Sequence, residues 1–281
     1  FNAGISNELF PLILFIGIGA MIDFGPLLAN PFLMLFGEAE QFGIFITLSL
    51  AALVGFDLKD AASIAVIGAA DGPTSIFVAN YFGSKYLGAI IVAAYSYMAL
   101  VPIVQPPVIK LLTTKKERCI HMEYTEKQIP QIVKILFPIV ITVITGIVSP
   151  RSVSLIGFLM FGNLIRECGV LSSLSDTAQK VLANLVTIFL GLTIASKMQA
   201  DAFLSVQTLM IIALGLFAFI FDTAGGVVFA KILNLFLRKK INPMIGAAGI
   251  SAFPMSARVV HKMGLKEDCT NFLLMHSVGV N

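Results

Sequence analysis

The ten residues Gly68-Ala69-Ala70-Asp71-Gly72-Pro73-Thr74-Ser75-Ile76-Phe77 place one carboxylate inside a run of small and apolar residues. Proline lacks an amide hydrogen and disfavours helical geometry in the residue before it, so Gly72-Pro73 reads as a helix interruption. An interrupted helix frees backbone carbonyls. In an apolar medium, a carboxylate beside such carbonyls is costly unless it lines a cavity and meets a ligand. Broken helices that combine carbonyl and side-chain oxygens are how ion carriers hold hard cations. The competing reading of Asp71 is a helix cap at a membrane boundary. Against it, no other charged residue lies between Asp60 and Lys85, which places Asp71 deep. Burial disfavours ionisation and a bound cation favours it, so such a group can exchange Na⁺ for H⁺.

A second constellation runs from Asn242-Pro243 to Arg258. Asn242, Ser251 and Ser256 offer neutral hard oxygens suited to Na⁺. Gly246, Gly249 and Pro254 supply irregular backbone. Arg258 is planar and permanently charged, which suits a carboxylate partner. It reads equally as an interfacial arginine that snorkels beside Lys262. Tyr97 lies in a long apolar run, where a phenol can donate a proton or merely fill a core. Asn163, in a short helical segment, is a possible further ligand. Asp222 and Thr223 are lesser candidates.

The elements that must position these groups are membrane helices. Hydrophobic residues make up 57% of the 281 and charged residues 12%, with a mean hydropathy of +0.92. Soluble domains carry roughly 25% charged residues. The net charge of +3 is small and scattered, which excludes a nucleic-acid binder. Cys119, Cys168 and Cys269 lack metal-type spacing and read as free thiols. His121, His261 and His276 are dispersed, so no zinc or haem site is expected.

Candidate spans are Leu9 to Met21, Phe42 to Phe56, Ala61 to Phe82 (interrupted at Asp71), Tyr86 to Val108, Ile132 to Val148, Val153 to Ile165 and Leu182 to Ile194. Thr208 to Leu237 is too long for one straight crossing, and Asp222 with Gly225-Gly226 reads as interrupting it. The polar stretch Thr113 to Gln128 reads as a solvated cytoplasmic loop by the positive-inside bias. Counting onward puts Ser149 to Arg151 outside, Arg166 to Lys180 inside, Lys197 to Asp201 outside and Arg238 to Lys240 inside.

The expected architecture is an all-α integral membrane protein of polytopic helices, with inverted repeats and Gly/Pro-broken helices. Residues 8–110 form a first repeat broken at 68–77, and residues 111–131 a cytoplasmic linker loop. Residues 132–281 form a second repeat broken at 242–258. Paired interruptions in two halves point to a site at their interface, near the bilayer midplane. The chain opens without Met and stops inside an apolar run, so both termini read as truncated and the span count as a lower bound.

Five stretches carry a resemblance: Gly68 to Phe77; Ala93 to Pro102 with Gln105-Pro106-Pro107; Phe161 to Glu167; Val186 to Leu192; and Lys240 to Arg258. Asn271 to His276 also fits. On these the chain resembles the β-subunit of the sodium-translocating, biotin-dependent carboxylic acid decarboxylases. Members of that family act on oxaloacetate, methylmalonyl-CoA, glutaconyl-CoA or malonate. The resemblance implies a multi-pass protein of a bacterial or archaeal cell membrane. It would decarboxylate protein-bound carboxybiotin, consume a proton and export Na⁺. The implied partners are a biotin-carrying subunit, a carboxyltransferase subunit and a small membrane anchor, with the whole a homo-oligomer. Asp71, Tyr97 and Arg258 match the positions the family uses in catalysis; Asp71, Asn242, Gly246 and Ser251 match its sodium-binding positions. Only with this support does Tyr97 become a proton donor. The alternative is a secondary carrier, a sodium/organic-anion symporter or a Na⁺/H⁺ antiporter, with Arg258 holding the substrate carboxylate.

Overall fold

The computed structural model describes residues 4, 7–122, 129–197, 205–252 and 255–281. It is 80% helical, with no strand among the described residues. Among those residues, four helical runs are long and apolar enough to cross a membrane: Pro31–Leu53, Leu87–Leu112, Gln131–Val148 and Val206–Phe236. In chain order the main helices are α1 (Leu9–Met21), α2 (Met34–Glu40), α3 (Phe42–Leu53), α4 (Leu58–Ala65), α5 (Gly72–Phe82) and α6 (Leu87–Leu112). After them come α7 (Gln131–Val148), α8 (Val153–Glu167), α9 (Ala183–Lys197), α10 (Val206–Phe236), α11 (Met255–Glu267) and α12 (Leu274–Val280).

The chain divides into two compact units. One comprises Phe1–Gly25 with Lys127–Gln199, the other Pro26–Glu126 with Ala200–Asn281. In the first unit α1 packs on α8, and α7 and α9 flank them. Gly19 and Gly162 make that crossing possible. A Cβ on Gly19 would run into the Leu159 carbonyl, and one on Gly162 into the Ile16 carbonyl. Small residues at membrane-helix contacts let backbones approach this closely.

In the second unit α10 is the central element, packed on α3, α6 and both irregular segments. The expected interruption at Asp222 and Gly225-Gly226 does not occur: α10 runs unbroken for 31 residues. At 1.5 Å per residue it is about 46 Å long. Glycine inside a helix costs about 1 kcal/mol, and contact offsets that cost here. The Gly226 backbone lies directly on the Gly246 carbonyl, with no space for a side chain between them.

The described part of the polar stretch is tied down. Thr114 and Glu117 form a capping box around the helical turn Lys115–Arg118. Arg118 Nε meets Glu267 Oε1 at 2.7 Å, and Lys231 Nζ meets Glu117 Oε1 at 3.2 Å. Burial pushes the Glu117 carboxyl up. The amide and hydroxyl of Thr114 and the Lys231 ammonium outweigh that and hold it below the usual carboxylate range. Glu123, Glu126, Lys127 and Gln128, and the outside segment from Met198 to Asp201, lie outside the described residues.

Candidate functional site

The first break falls at Ala70-Asp71, within the expected stretch 68–77 and just ahead of Gly72-Pro73. Val66–Ala69 tightens into a 3₁₀ turn, and Ala70 adopts a left-handed conformation (φ 50°, ψ 37°). That region disfavours residues with a Cβ by about 1–2 kcal/mol. Asp71 is extended and serves as N-cap residue of α5, and Gly72-Pro73 falls in the first helical turn. There the missing proline amide has no helical partner to lose. The Thr74 hydroxyl donates to Asp71 Oδ2, and the Ser75 hydroxyl donates to the Asp71 carbonyl at 2.8 Å.

The second break opens with Asn242. Its Oδ1 accepts from the Met244 amide at 3.1 Å, and its Nδ2 donates to the carbonyls of Arg118 and Ile120 at 2.8 and 3.0 Å. The buried side chain thus fixes the start of a 3₁₀ segment, Pro243–Ala248, against the tied-down loop. The carbonyls beyond are held one by one. Gln105 Nε2 donates to Ala247 O at 2.5 Å. Asn281 Nδ2 donates to Ala248 O at 2.5 Å, to Ile250 O at 2.6 Å and to Ser256 Oγ at 2.9 Å. These acceptors fix which end of each amide is nitrogen. They leave Gln105 Oε1 and Asn281 Oδ1 as buried oxygens without a donor. Pro254 lies outside the described residues.

The two breaks meet. Ala70 from the first and Ile250 and Ala252 from the second belong to one buried cluster, completed by Val101 and Phe219. Asp71 is half-buried at its edge, Ser251 is exposed, and Ser256 is fully buried.

Tyr97 and Tyr95 face differently. Tyr97 is buried and donates its hydroxyl to the Ile212 carbonyl of α10. Tyr95 packs against Gly72 and lies within electrostatic reach of Asp71, and its buried hydroxyl has no partner. The phenol beside Asp71 is therefore Tyr95. Two residues along a helix turn about 200°, so the two rings cannot share a neighbour.

Arg258, Lys262 and Lys266 fall at i, i+4 and i+8 of α11, and all three are exposed. Residues at that spacing share a helix face. Lys262 and Lys266, with Lys110 of α6, line a groove of about 210 Å³ floored by Pro102, Pro106 and Met263. Just past α11 the half-buried Asp268 carboxyl is held below the usual range, first by the Thr270 hydroxyl, then by its amide and by His121.

Asn163 belongs to the first unit. Its Nδ2 donates to the carbonyls of Gly19 and Ile22 at 3.4 and 2.9 Å, and Arg166 adds one to Met21 O at 3.1 Å. Both side chains satisfy the otherwise orphaned C-terminus of α1.

The family model of the Na⁺-transporting oxaloacetate decarboxylase beta subunit matches residues 1–281. The chain belongs to that family. This β-subunit is the membrane component of a Na⁺-translocating decarboxylase, which couples decarboxylation of carboxybiotin to Na⁺ transport. A methylmalonyl-CoA decarboxylase subunit beta of Veillonella parvula is 54% identical over 280 residues, covering 100% of this chain and 75% of that one. The oxaloacetate decarboxylase beta chain of Klebsiella pneumoniae is 51% identical over 287 residues, covering 100% of this chain and 66% of that one. A glutaconyl-CoA decarboxylase subunit beta of Acidaminococcus fermentans is 51% identical over 278 residues, 99% and 74% of the two chains. The chain therefore spans about two thirds of the length of the oxaloacetate-type relative. The secondary-carrier alternative gains no support from these matches.

Two groups of this β-subunit escape sequence reasoning. Asn281 follows an ordinary apolar run, and only the fold brings it to Ala248. Glu40 sits next to Glu38 and Gln41, so it reads as the polar edge of a span. In the structure it is fully buried.

Proposed function

We propose that the meeting of the two breaks is the cation site of this β-subunit, with Asp71 as its charged ligand. The observation that supports this reading is the cluster joining Ala70 to Ile250 and Ala252. Asp71 and Ser251 are each adjacent in sequence to a member of that cluster, which supports grouping them. Na⁺ is the transported substrate. The Thr74 hydroxyl at Asp71 and the Ser251 hydroxyl supply hard oxygens, and the donor-free oxygens of Gln105 and Asn281 lie on the second break. Asn242 and Gly246 act through the backbone: Asn242 anchors the 3₁₀ segment, and Gly246 lets it lie on α10. Asn163, the further ligand considered, lies in the first unit, where its Nδ2 is committed to α1 and its buried Oδ1 has no donor among the described residues.

Arg258 heads the basic face of α11 and orients the carboxylate of carboxybiotin. Three cations on one exposed face suit water better than lipid, which argues against the snorkelling reading. A proton delivered to carboxybiotin promotes loss of CO₂, and Tyr97 lies on the route we assign to that proton. If the proton reaches the carboxylate only as Na⁺ leaves, decarboxylation drives transport. Moving one charge against 100 mV requires about 2.3 kcal/mol, so a decarboxylation of several kcal/mol can export one or two ions, subject to proton return.

Carboxybiotin comes from a biotin-carrying subunit loaded by a carboxyltransferase subunit. A small membrane anchor and a homo-oligomeric arrangement complete the complex, in a bacterial or archaeal cell membrane with Thr113 to Gln128 in the cytoplasm. Which acid is decarboxylated is decided in the soluble partner. Reconstitution of the complex in liposomes tests the cation site. Asp71→Asn is expected to abolish Na⁺ uptake and Na⁺-stimulated decarboxylation together. Full Na⁺-dependent turnover in that variant would remove Asp71 from the site.

A further inference from the structure

Glu40, the last residue of α2, is 1% exposed, and neither of its carboxyl oxygens has a hydrogen-bond partner. Asp222 on α10 is also 1% exposed. The two lie within electrostatic reach of each other, and Asp222 is the one charged group that acts on Glu40 from the elements around it. No ion pair among the described residues includes either carboxylate.

Their surroundings differ in kind. Asp222 Oδ1 accepts from the Ile44 amide at 3.0 Å, with the Gly43 amide beside it. These are first-turn amides of α3, whose N-cap residue Gln41 offers no side-chain cap. Asp222 therefore caps α3 from another helix, and the helix end favours its negative charge. Glu40 has only the Gly249 amide beside it, and neither oxygen forms a hydrogen bond of good geometry among the described residues. Its carboxyl rests on the backbones of Gly226 and Gly249, where an added Cβ would come within 2.6 Å of Oε1 and 2.7 Å of Oε2. Asp222 Oδ2 is also buried without a partner, but Oδ1 has the helix-end amides that Glu40 lacks, so of two buried carboxyls side by side Glu40 is the one better held neutral. Two further observations mark the pocket as polar. The Thr47 and Thr223 hydroxyls are fully buried and without partners. Thr47 lies one turn beyond Gly43 on the buried face of α3, the face set against Asp222.

We propose that Glu40 is a second proton-binding site of this subunit, holding its proton against the second break while Asp222 stays the anion beside it. Gly249 ends the 3₁₀ segment of that break, so lifting the segment is what exposes Glu40 to water. The proton is exchanged in step with movement of the second break. This is independent of which cation sits at Asp71.

Infrared spectroscopy of the whole purified decarboxylase complex tests it. The expected result is a protonated-carboxyl band at neutral pH that is lost in Glu40→Gln and kept in Asp222→Asn. A band that survives Glu40→Gln, or disappears in Asp222→Asn instead, overturns the assignment. Isotope labelling makes the same test without substitution, should a variant fail to fold. The band should shift with carbonyl-labelled glutamate, and a band that shifts only with labelled aspartate overturns it. In heavy water the band is expected to exchange faster during turnover than at rest. Equal rates would overturn the coupling to the break.

Discussion

Asp71 sits behind an alanine held in left-handed backbone, and the two residues test each other. Ala70→Gly removes the Cβ penalty and should stabilise the folded protein by about 1 kcal/mol, read as a rise in melting temperature. A loss of stability would show that the turn needs the alanine methyl in its cluster. Tyr97→Phe removes one hydroxyl from a carbonyl already inside a helix, so the fold should change by about 1 kcal/mol or less. Decarboxylation of carboxybiotin at saturating Na⁺ should nevertheless slow. Wild-type rates would leave Tyr97 as packing and turn attention to Tyr95, whose hydroxyl is free and nearer Asp71. Arg258→Lys loses the planar fork that suits a carboxylate. It should raise the apparent KM for free carboxybiotin at least several-fold while Na⁺ affinity holds. Equal loss of both would unseat the assignment. The tyrosine pair marks a limit of sequence reading: Tyr95-Ser96-Tyr97 offers two phenols, and only the orientation of α6 decides which one meets Asp71.

At the scale of elements, the first break was legible because proline and glycine act locally, on their own backbone. Proline at the second position of a helix is a good beginning, so the chain turns just before it, at Ala70-Asp71 within the expected stretch. The continuity of α10 was hidden for the opposite reason. Gly225 and Gly226 weaken a helix in isolation, and the contact with Gly246 that offsets them comes from a distant segment. The solvated reading of Thr113 to Gln128 missed the attachments of its first part, which likewise come from Lys231, Asn242 and Glu267. That attachment has a pH signature. Glu117 has a folded-state pKa below its unfolded value, so its contribution is present above the unfolded range and is lost as pH falls through the folded one. Hydrogen exchange of residues 113–122 should stay slow down to the ordinary glutamate range of about 4.3 and quicken below it. Protection lost already near neutral pH would mean that the Lys231–Glu117 pair does not hold the loop.

For the whole molecule, composition alone marked a helical membrane protein, and the long motifs marked its family. Which segments pack together was written nowhere locally: each compact unit joins two stretches that are far apart in the sequence. One stripe of α10 organises the second unit. Gly215 lies under Ile67 and Tyr97, Asp222 beside Gly43 and Gly68, and Gly226 on Gly246. Each residue of helix turns the stripe by about 100°. The length of this segment is therefore as constrained as its composition. Deleting one residue between Gly215 and Asp222 would bring Thr223 to the place of the carboxylate and Val227 to the place of the closest glycine. A valine there would drive the second break off the helix. Substitutions on the opposite face of α10 should be borne easily, whereas a chain shortened by a single residue in that interval should fail to assemble, as a yield of folded complex would show.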